Sequence, residues 1–317
     1  MRLIALMNQK GGVGKTTTTV NLAAAIARSG SRVLLVDLDP QAHATLHLGI
    51  DPAALDSSVY DLLLDPGADP AAALRAEREN LWVLPAETDL AAADQELADA
   101  PDRQQRLGAA VARLGDRFDV VLFDCPPSLG VLTLGALAAA DEVLIPMQAH
   151  FLALQGVSKL LETVRLVGTA VNPRLRVLGV VLCMHEQHTT LAQEVVQDLE
   201  SYFEQAAGTG VPWDGARILR PPIRRNIKLA ECPSFGQTIF EYAPDAAGAQ
   251  DYAQLARDVT GADPRENRDQ GYEQDAPIVI TRPAVAPQPP APVQPDQPGP
   301  EPSVSPVVPS PRDEPMA

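Results

Sequence analysis

A lysine and a threonine side by side behind closely spaced glycines can cradle a chain of phosphates, and Lys10-Gly11-Gly12-Val13-Gly14-Lys15-Thr16-Thr17 carries that grouping. Glycines at 11, 12 and 14 let consecutive backbone N–H groups turn inward around an anion, and a helix opening at the end of the loop adds the partial positive charge of its N-terminus. In such a loop Lys15 reaches the β- and γ-phosphates and the Thr16 hydroxyl ligates Mg²⁺. Three carboxylates are candidates to complete the chemistry: Asp37 and Asp39 in Asp37-Leu38-Asp39-Pro40-Gln41, and Asp124 in Asp124-Cys125-Pro126-Pro127-Ser128. Alternation along a strand points Asp37 and Asp39 the same way. Asp124, closing an apolar run, has the layout of a carboxylate that holds Mg²⁺ through water. An acidic strand end is also an ordinary cap for the next helix, so these carboxylates take their meaning from lying beside the glycine loop.

The loop needs a strand before it and a helix after it, and the surrounding text supplies both. Leu3 to Met7, Arg32 to Val36, Val120 to Phe123, Glu142 to Pro146 and Leu178 to Cys183 are short runs rich in Val, Ile and Leu. Their near-continuous apolarity suits parallel strands covered on both faces. Thr16 to Ser29, Arg103 to Leu114, Gly156 to Ala170 and Thr190 to Glu204 have helical spacing, the first stopped by Gly30 at its C′ position. Strand and helix in repeated alternation predict an α/β fold, doubly wound around a mostly parallel sheet. Ligands of such sheets gather at the C-terminal ends of the strands, where Asp37, Asp39 and Asp124 fall.

The loop departs from the ordinary pattern in one informative way: Gln9 stands at the first consensus glycine and a second lysine, Lys10, follows it. This run resembles the deviant Walker A motif of the ParA/MinD ATPases. Lys10 to Gln41, Asp119 to Ser128, Phe151 to Gly156 and Arg225 to Gly236 are together similar to the partition-protein branch of that family. The resemblance implies ATP and Mg²⁺ as cofactors, a slow ATP hydrolase stimulated by a partner, and a homodimer in the ATP state in which Lys10 reaches the other protomer's phosphates. It also implies that Asp39 positions or activates the attacking water, that Asp37 supports the magnesium shell and that Asn226 contacts the adenine. The implied function is DNA segregation of a chromosome or plasmid, with non-specific DNA and a centromere-binding, ParB-like protein as partners. Positioning of other intracellular cargo is the alternative within the family. A MinD-like membrane regulator needs a C-terminal amphipathic helix, a cluster scaffold needs paired cysteines, and a metabolite kinase has no use for Lys10; the sequence offers none of these an argument.

A net charge of −16 excludes a protein that coats nucleic acid with its whole surface, so DNA contact requires a local patch. The richest cluster is Arg217, Arg220, Arg224, Arg225 and Lys228, which reads either as a DNA-binding face or as a solvated charged loop. Three positions depart from the family: Gln155 where Glu is usual, Arg224 where Pro is usual, and His188 where an Arg used for DNA is usual. Neutral at pH 7, His188 gives up phosphate attraction. His185 and His188, three apart, have no third ligand in sequence and read as surface or cap residues. Cys125, Cys183 and Cys232 are scattered and read as buried thiols. No apolar run of about 18 residues and no secretion signal is present, so the expected location is the cytoplasm, on the nucleoid and off the membrane. Fourteen of the 30 prolines fall between Pro277 and Pro315, and residues 262–317 carry −5 of the net charge. The expected division is therefore a folded ATPase domain, 1–261, and a proline-rich acidic disordered tail, 262–317.

Overall fold

The computed structural model describes residues 1–150, 153–186 and 189–261. The readings made on the 262–317 tail and on His188 lie outside these residues. Eight strands form one sheet: β1 (Arg2–Leu6), β2 (Val33–Asp37), β3 (Arg75–Arg78), β4 (Leu81–Leu84), β5 (Val120–Asp124), β6 (Glu142–Met147), β7 (Arg176–Leu182) and β8 (Arg217–Ile218). Their order is β3-β4-β2-β5-β1-β6-β7-β8, parallel throughout except for the β3–β4 pair. From β1 the chain crosses over β5 to β2, and from β5 it crosses over β1 to β6. The order thus reverses about β1, and the crevice at that switch point lies over the loop that follows β1.

All five expected strands form, displaced by at most two residues. In β2 and β5 every residue is buried. One face of the sheet, with Ile4, Leu6, Leu35 and Leu122, lies under helices Lys15–Arg28 and Ala247–Thr260. The other, with Ala5, Leu34, Val36 and Phe123, lies under helices Arg106–Ala112, Val131–Ala139 and Ala153–Ala170. Each fully buried Leu, Ile or Phe contributes about 1.5–3 kcal/mol, so two-sided burial is why these strands carry no polar alternation. The expected helix from Arg103 shortens to Arg106–Ala112, because the backbone N–H groups of Arg103 and Gln105 close tight turns onto the carbonyls of Ala100 and Asp102, three residues earlier in each case. No described helix is long and apolar enough to cross a membrane.

Helix Lys15–Arg28 fixes the site. Thr18 to Ala27 are buried without a break, and four alanines among them let the sheet and helix Ala247–Thr260 approach closely. Its buried polar groups are all answered. Asn21 Nδ2 donates to Thr17 O at 2.8 Å while its Oδ1 accepts from Ile239 N at 2.8 Å, and the Thr18 and Tyr252 hydroxyls are 3.1 Å apart. These bonds tie the phosphate-loop helix to the C-terminal third of the domain. Gly30, left-handed at φ 99°, terminates it as expected.

Candidate functional site

The loop from Asn8 to Gly14 leaves β1 and delivers Lys15 as the first helical residue. Of its three glycines, Gly12 (φ 71°) and Gly14 (φ 92°) occupy the left-handed region that a side chain disfavours, and Gly11 does not. Alternating handedness is what turns successive N–H groups to one side, so the loop has the concavity that a phosphate requires. A cleft of about 680 Å³ opens over it, walled by Gly11 to Thr17 on one side and by Asp39, Leu46, Pro127, Met184 and Pro233 on the others. That volume suits a nucleotide.

Lys15 is 8% exposed. Burial lowers its pKa, and Asp124 and Asp39 oppose that fall. A cation this dry is stabilised by an anion within hydrogen-bond reach, which the phosphates of a bound nucleotide would provide. Behind it, Asp124 is fully buried. Thr16 Oγ1 donates to its Oδ2 and Thr19 Oγ1 to its Oδ1, each at 2.7 Å. Thr16 and Asp124 thus bring a hydroxyl and a carboxylate oxygen together at the foot of the loop, a hard-oxygen pair that fits Mg²⁺. Thr19 keeps the carboxylate from rotating away, a role that its place in a run of four threonines did not single out.

Asp37 sits opposite Asp124 in the β2–β5 register and is equally buried. Burial first, then the charge of Asp124, raises its pKa; burial likewise raises that of Asp124. Both Asp37 oxygens are engaged within its own segment. Oδ2 accepts from Thr45 N (2.9 Å) and Thr45 Oγ1 (2.8 Å), and Oδ1 from Asp39 N (3.1 Å). Asp37 therefore acts here on the Asp39–Thr45 turn. Asp39 itself faces the cleft, held by Gln41 N donating to its Oδ1 at 3.0 Å. The two carboxylates, expected to point alike, divide into one that anchors the turn and one that faces the ligand.

Lys10 behaves differently from Lys15. It is exposed, does not wall the cleft, and lays Nζ 3.2 Å from His150 Nε2 and 3.5 Å from Nδ1. His150 Nε2 also lies 2.9 Å from Gln148 Oε1. Asn226 caps helix Ile227–Glu231, its Oδ1 accepting from Lys228 N at 2.9 Å, and is not in the cleft wall. The three thiols are buried, and burial pushes those of Cys183 and Cys232 up to about 11, which makes them packing groups.

The basic cluster is fully paired. Arg217 forks onto Asp258 (2.8 Å), Arg220 meets Glu200 (2.8 Å), Arg224 meets Asp251 (2.7 Å), Arg225 meets Glu186 (2.8 Å) and Lys228 meets Glu231 (2.8 Å). Arg224 is set apart, because Asp251 is buried and receives its Nε, its Nη2 and its backbone N–H. That arginine closes a buried charge. Arg220, Arg225 and Lys228 instead pair with carboxylates at the surface, where solvent screens the attraction.

His47, in the cleft wall, is 3% exposed, and burial lowers its pKa to about 4. Unfolding returns the ring to about 6.5, so between those values the unfolded chain takes up a proton that the folded chain refuses. The stability His47 contributes is complete above pH 6.5 and falls as the pH drops toward 4, by about 2 kcal/mol at pH 5. The raised carboxylates shift stability in the opposite sense, so the comparison is between proteins. The urea midpoint at pH 5 should rise relative to that at pH 7 in His47→Gln compared with the parent, and equal pH dependence in both proteins would count against a neutral buried ring.

The model of a family described as "AAA domain" matches residues 1–177. Over 259 residues the chain is 44% identical to the sporulation initiation inhibitor protein Soj of Bacillus subtilis, covering 81% of this chain and 98% of that one. It is 46% identical to the chromosome-partitioning ATPase Soj of Thermus thermophilus, covering 82% and 95%. Among solved structures, cobyrinic acid a,c-diamide synthase of Mycobacterium smegmatis with bound ADP and magnesium superposes with a TM-score of 0.68 at 39% identity, covering 81% of this chain and 92% of that one. A deviant phosphate loop at a sheet switch point, Asp124 held against Thr16, and near-complete coverage of these relatives lead to one assignment: the chain belongs to the ParA/Soj family of P-loop ATPases, with ATP and Mg²⁺ as its cofactors.

Proposed function

We propose that this chain is a DNA-segregation ATPase whose ATP-bound form is a dimer that binds DNA without sequence preference and lets go after hydrolysis. The observation that carries the reading is the pair of lysines with opposite orientations. Lys15 is buried against its own cleft, whereas Lys10, five residues earlier, leaves that cleft and lies exposed at its rim. A cation there has no phosphate of its own to meet, and a second protomer facing the rim supplies one. In the cleft, Lys15 and the loop N–H groups bind the phosphates, Thr16 and Asp124 hold the magnesium, and Asp39 orients the water. Bound Mg²⁺ neutralises charge on the β- and γ-phosphates. Pro127 walls the cleft and follows Asp124 by three residues, which supports a role for the Asp124–Ser128 segment in sensing whether the last phosphate is present.

The DNA face is proposed for Arg220, Arg225 and Lys228. Glu200 and Glu186 are exposed and displaceable by a phosphate, while Glu231 is half-buried and also accepts from the Tyr242 hydroxyl, so the patch is neutral in the free chain and becomes cationic chiefly at Arg220 and Arg225 by exchange. Binding to random duplex with ATP should exceed that with ADP and weaken steeply with salt. Arg225→Ala with Lys228→Ala should reduce it about tenfold or more, and Glu186→Gln should strengthen it. DNA binding that ignores both changes would move the interface elsewhere; absence of binding in every nucleotide state would favour cargo positioning on another surface. A centromere-binding partner, stimulated turnover and a cytoplasmic, nucleoid-associated location belong to the same proposal, supported by relatives that are chromosome-partitioning ATPases.

A further inference from the structure

Arg78, on edge strand β3, bridges two backbone segments that lie far apart in sequence. Its Nη1 donates to Leu48 O at 3.0 Å, its Nη2 donates to Gly236 O at 2.7 Å, and its Nε lies 3.1 Å from Glu241 Oε1. The side chain is 21% exposed, so water competes poorly for these bonds. Leu48 follows helix His43–His47, whose Leu46 and His47 wall the nucleotide cleft. Gly236 closes the 3-10 turn Cys232–Phe235, whose Pro233 walls the cleft from another segment. Between the arginine and the cleft the two segments touch. A Cβ on Gly236 would come 3.0 Å from Gly49 Cα, and His47 Nε2 lies 3.6 Å from Cys232 Sγ.

The phosphate end of the cleft is fixed by Gly11 to Thr17. The apolar side chains lining the rest of the cleft are Leu46, Pro127, Met184 and Pro233, and of these Pro127 belongs to the segment after Asp124, which leaves Leu46, Met184 and Pro233 for a flat base. Dispersion contacts to a ring fall away within about an ångström of ideal separation, so the spacing between these walls sets how well a base is held. We infer that Arg78 is a positioning residue for the nucleotide base, a staple outside the cleft that holds the Leu46 and Pro233 walls at that spacing. Guanidinium suits the task because its planar fork reaches two carbonyls at once, which a lysine's single nitrogen on a flexible stem does not.

The test compares binding of ATP, GTP and inorganic tripolyphosphate by Arg78→Lys, Glu241→Gln and the parent, with melting temperatures alongside. Arg78→Lys should raise the Kd for ATP about tenfold, the effect of one lost charge-assisted bond, with kcat at saturating ATP within twofold. Its tripolyphosphate affinity should be unchanged and its ratio of ATP to GTP affinity should move toward one. Glu241→Gln, which leaves both carbonyl bridges in place, should bind ATP within twofold of the parent. Gly236→Ala, which wedges the same two backbones apart with Arg78 intact, should reproduce the ATP-selective loss and serves if Arg78→Lys does not fold. ATP affinity within twofold of the parent in the Arg78 and Gly236 variants would overturn the inference. So would equal weakening toward ATP and tripolyphosphate, which would make Arg78 a general support of the fold.

Discussion

Asp39→Ala should bind ATP as well as the parent and hydrolyse it about 100- to 10,000-fold more slowly, the range that a positioned base or water-orienting carboxylate contributes. Asp39 faces the cleft near Lys15, and its backbone N–H is held by Asp37 Oδ1. Removing the side chain leaves the turn in place, because Thr45 and the Asp39 backbone still engage Asp37. It also removes a negative charge from the neighbourhood of the phosphates, so binding has no reason to weaken. Single-turnover hydrolysis of bound ATP, with the dissociation constant measured separately, distinguishes the two effects. A rate within threefold of the parent would remove Asp39 from the chemistry and leave it as a residue of the turn before helix His43–His47.

The second large effect is expected at Lys10. In Lys10→Ala the monomer should bind ATP normally, since this side chain does not wall its own cleft, and the ATP-dependent dimer should weaken by about 10- to 150-fold. That range is the value of a charged hydrogen bond to a phosphate across an interface from which water has been removed. Light scattering with ATP against ADP reads it directly, and an unaltered dimer would exclude action of Lys10 in trans. Lys15→Ala makes the contrast, because it removes the cation that meets the phosphates in its own cleft and should lose binding itself.

The sheet was legible in its five longer apolar runs, while β4, only Leu81–Leu84, was missed despite being apolar because four residues give too short a pattern. β1, β2, β5, β6 and β7 are the longer runs, and burial on both faces is the reason. β3, reading Arg-Ala-Glu-Arg, and the two-residue β8 escaped notice because edge strands are paired on one side and need little apolar text. Helix Ala247–Thr260 was missed although it covers the phosphate-loop helix; its apolar stripe is broken by Asp251, which is buried only because Arg224 answers it. In the site, Lys15, Thr16 and Asp124 were readable because their chemistry fixes their spacing. Thr45 and Arg78 were not, since their partners are Asp37 and two carbonyls brought near by the fold. The basic cluster was legible as charge, but each carboxylate that cancels it comes from a position no local pattern relates to it, apart from Glu231 three residues after Lys228.

Helix Lys15–Arg28 is buried along ten consecutive residues, and the phosphate loop is its beginning. The floor of the nucleotide site therefore opens only when the centre of the domain opens, at a free energy near that of complete unfolding. The opposite wall is made of one-turn pieces, His43–His47 and Cys232–Phe235. Of the two sides, the thin wall is therefore the one that can shift without opening the centre of the domain. A nucleotide in this cleft thus rests between a side as rigid as the core and a side as pliable as a surface turn.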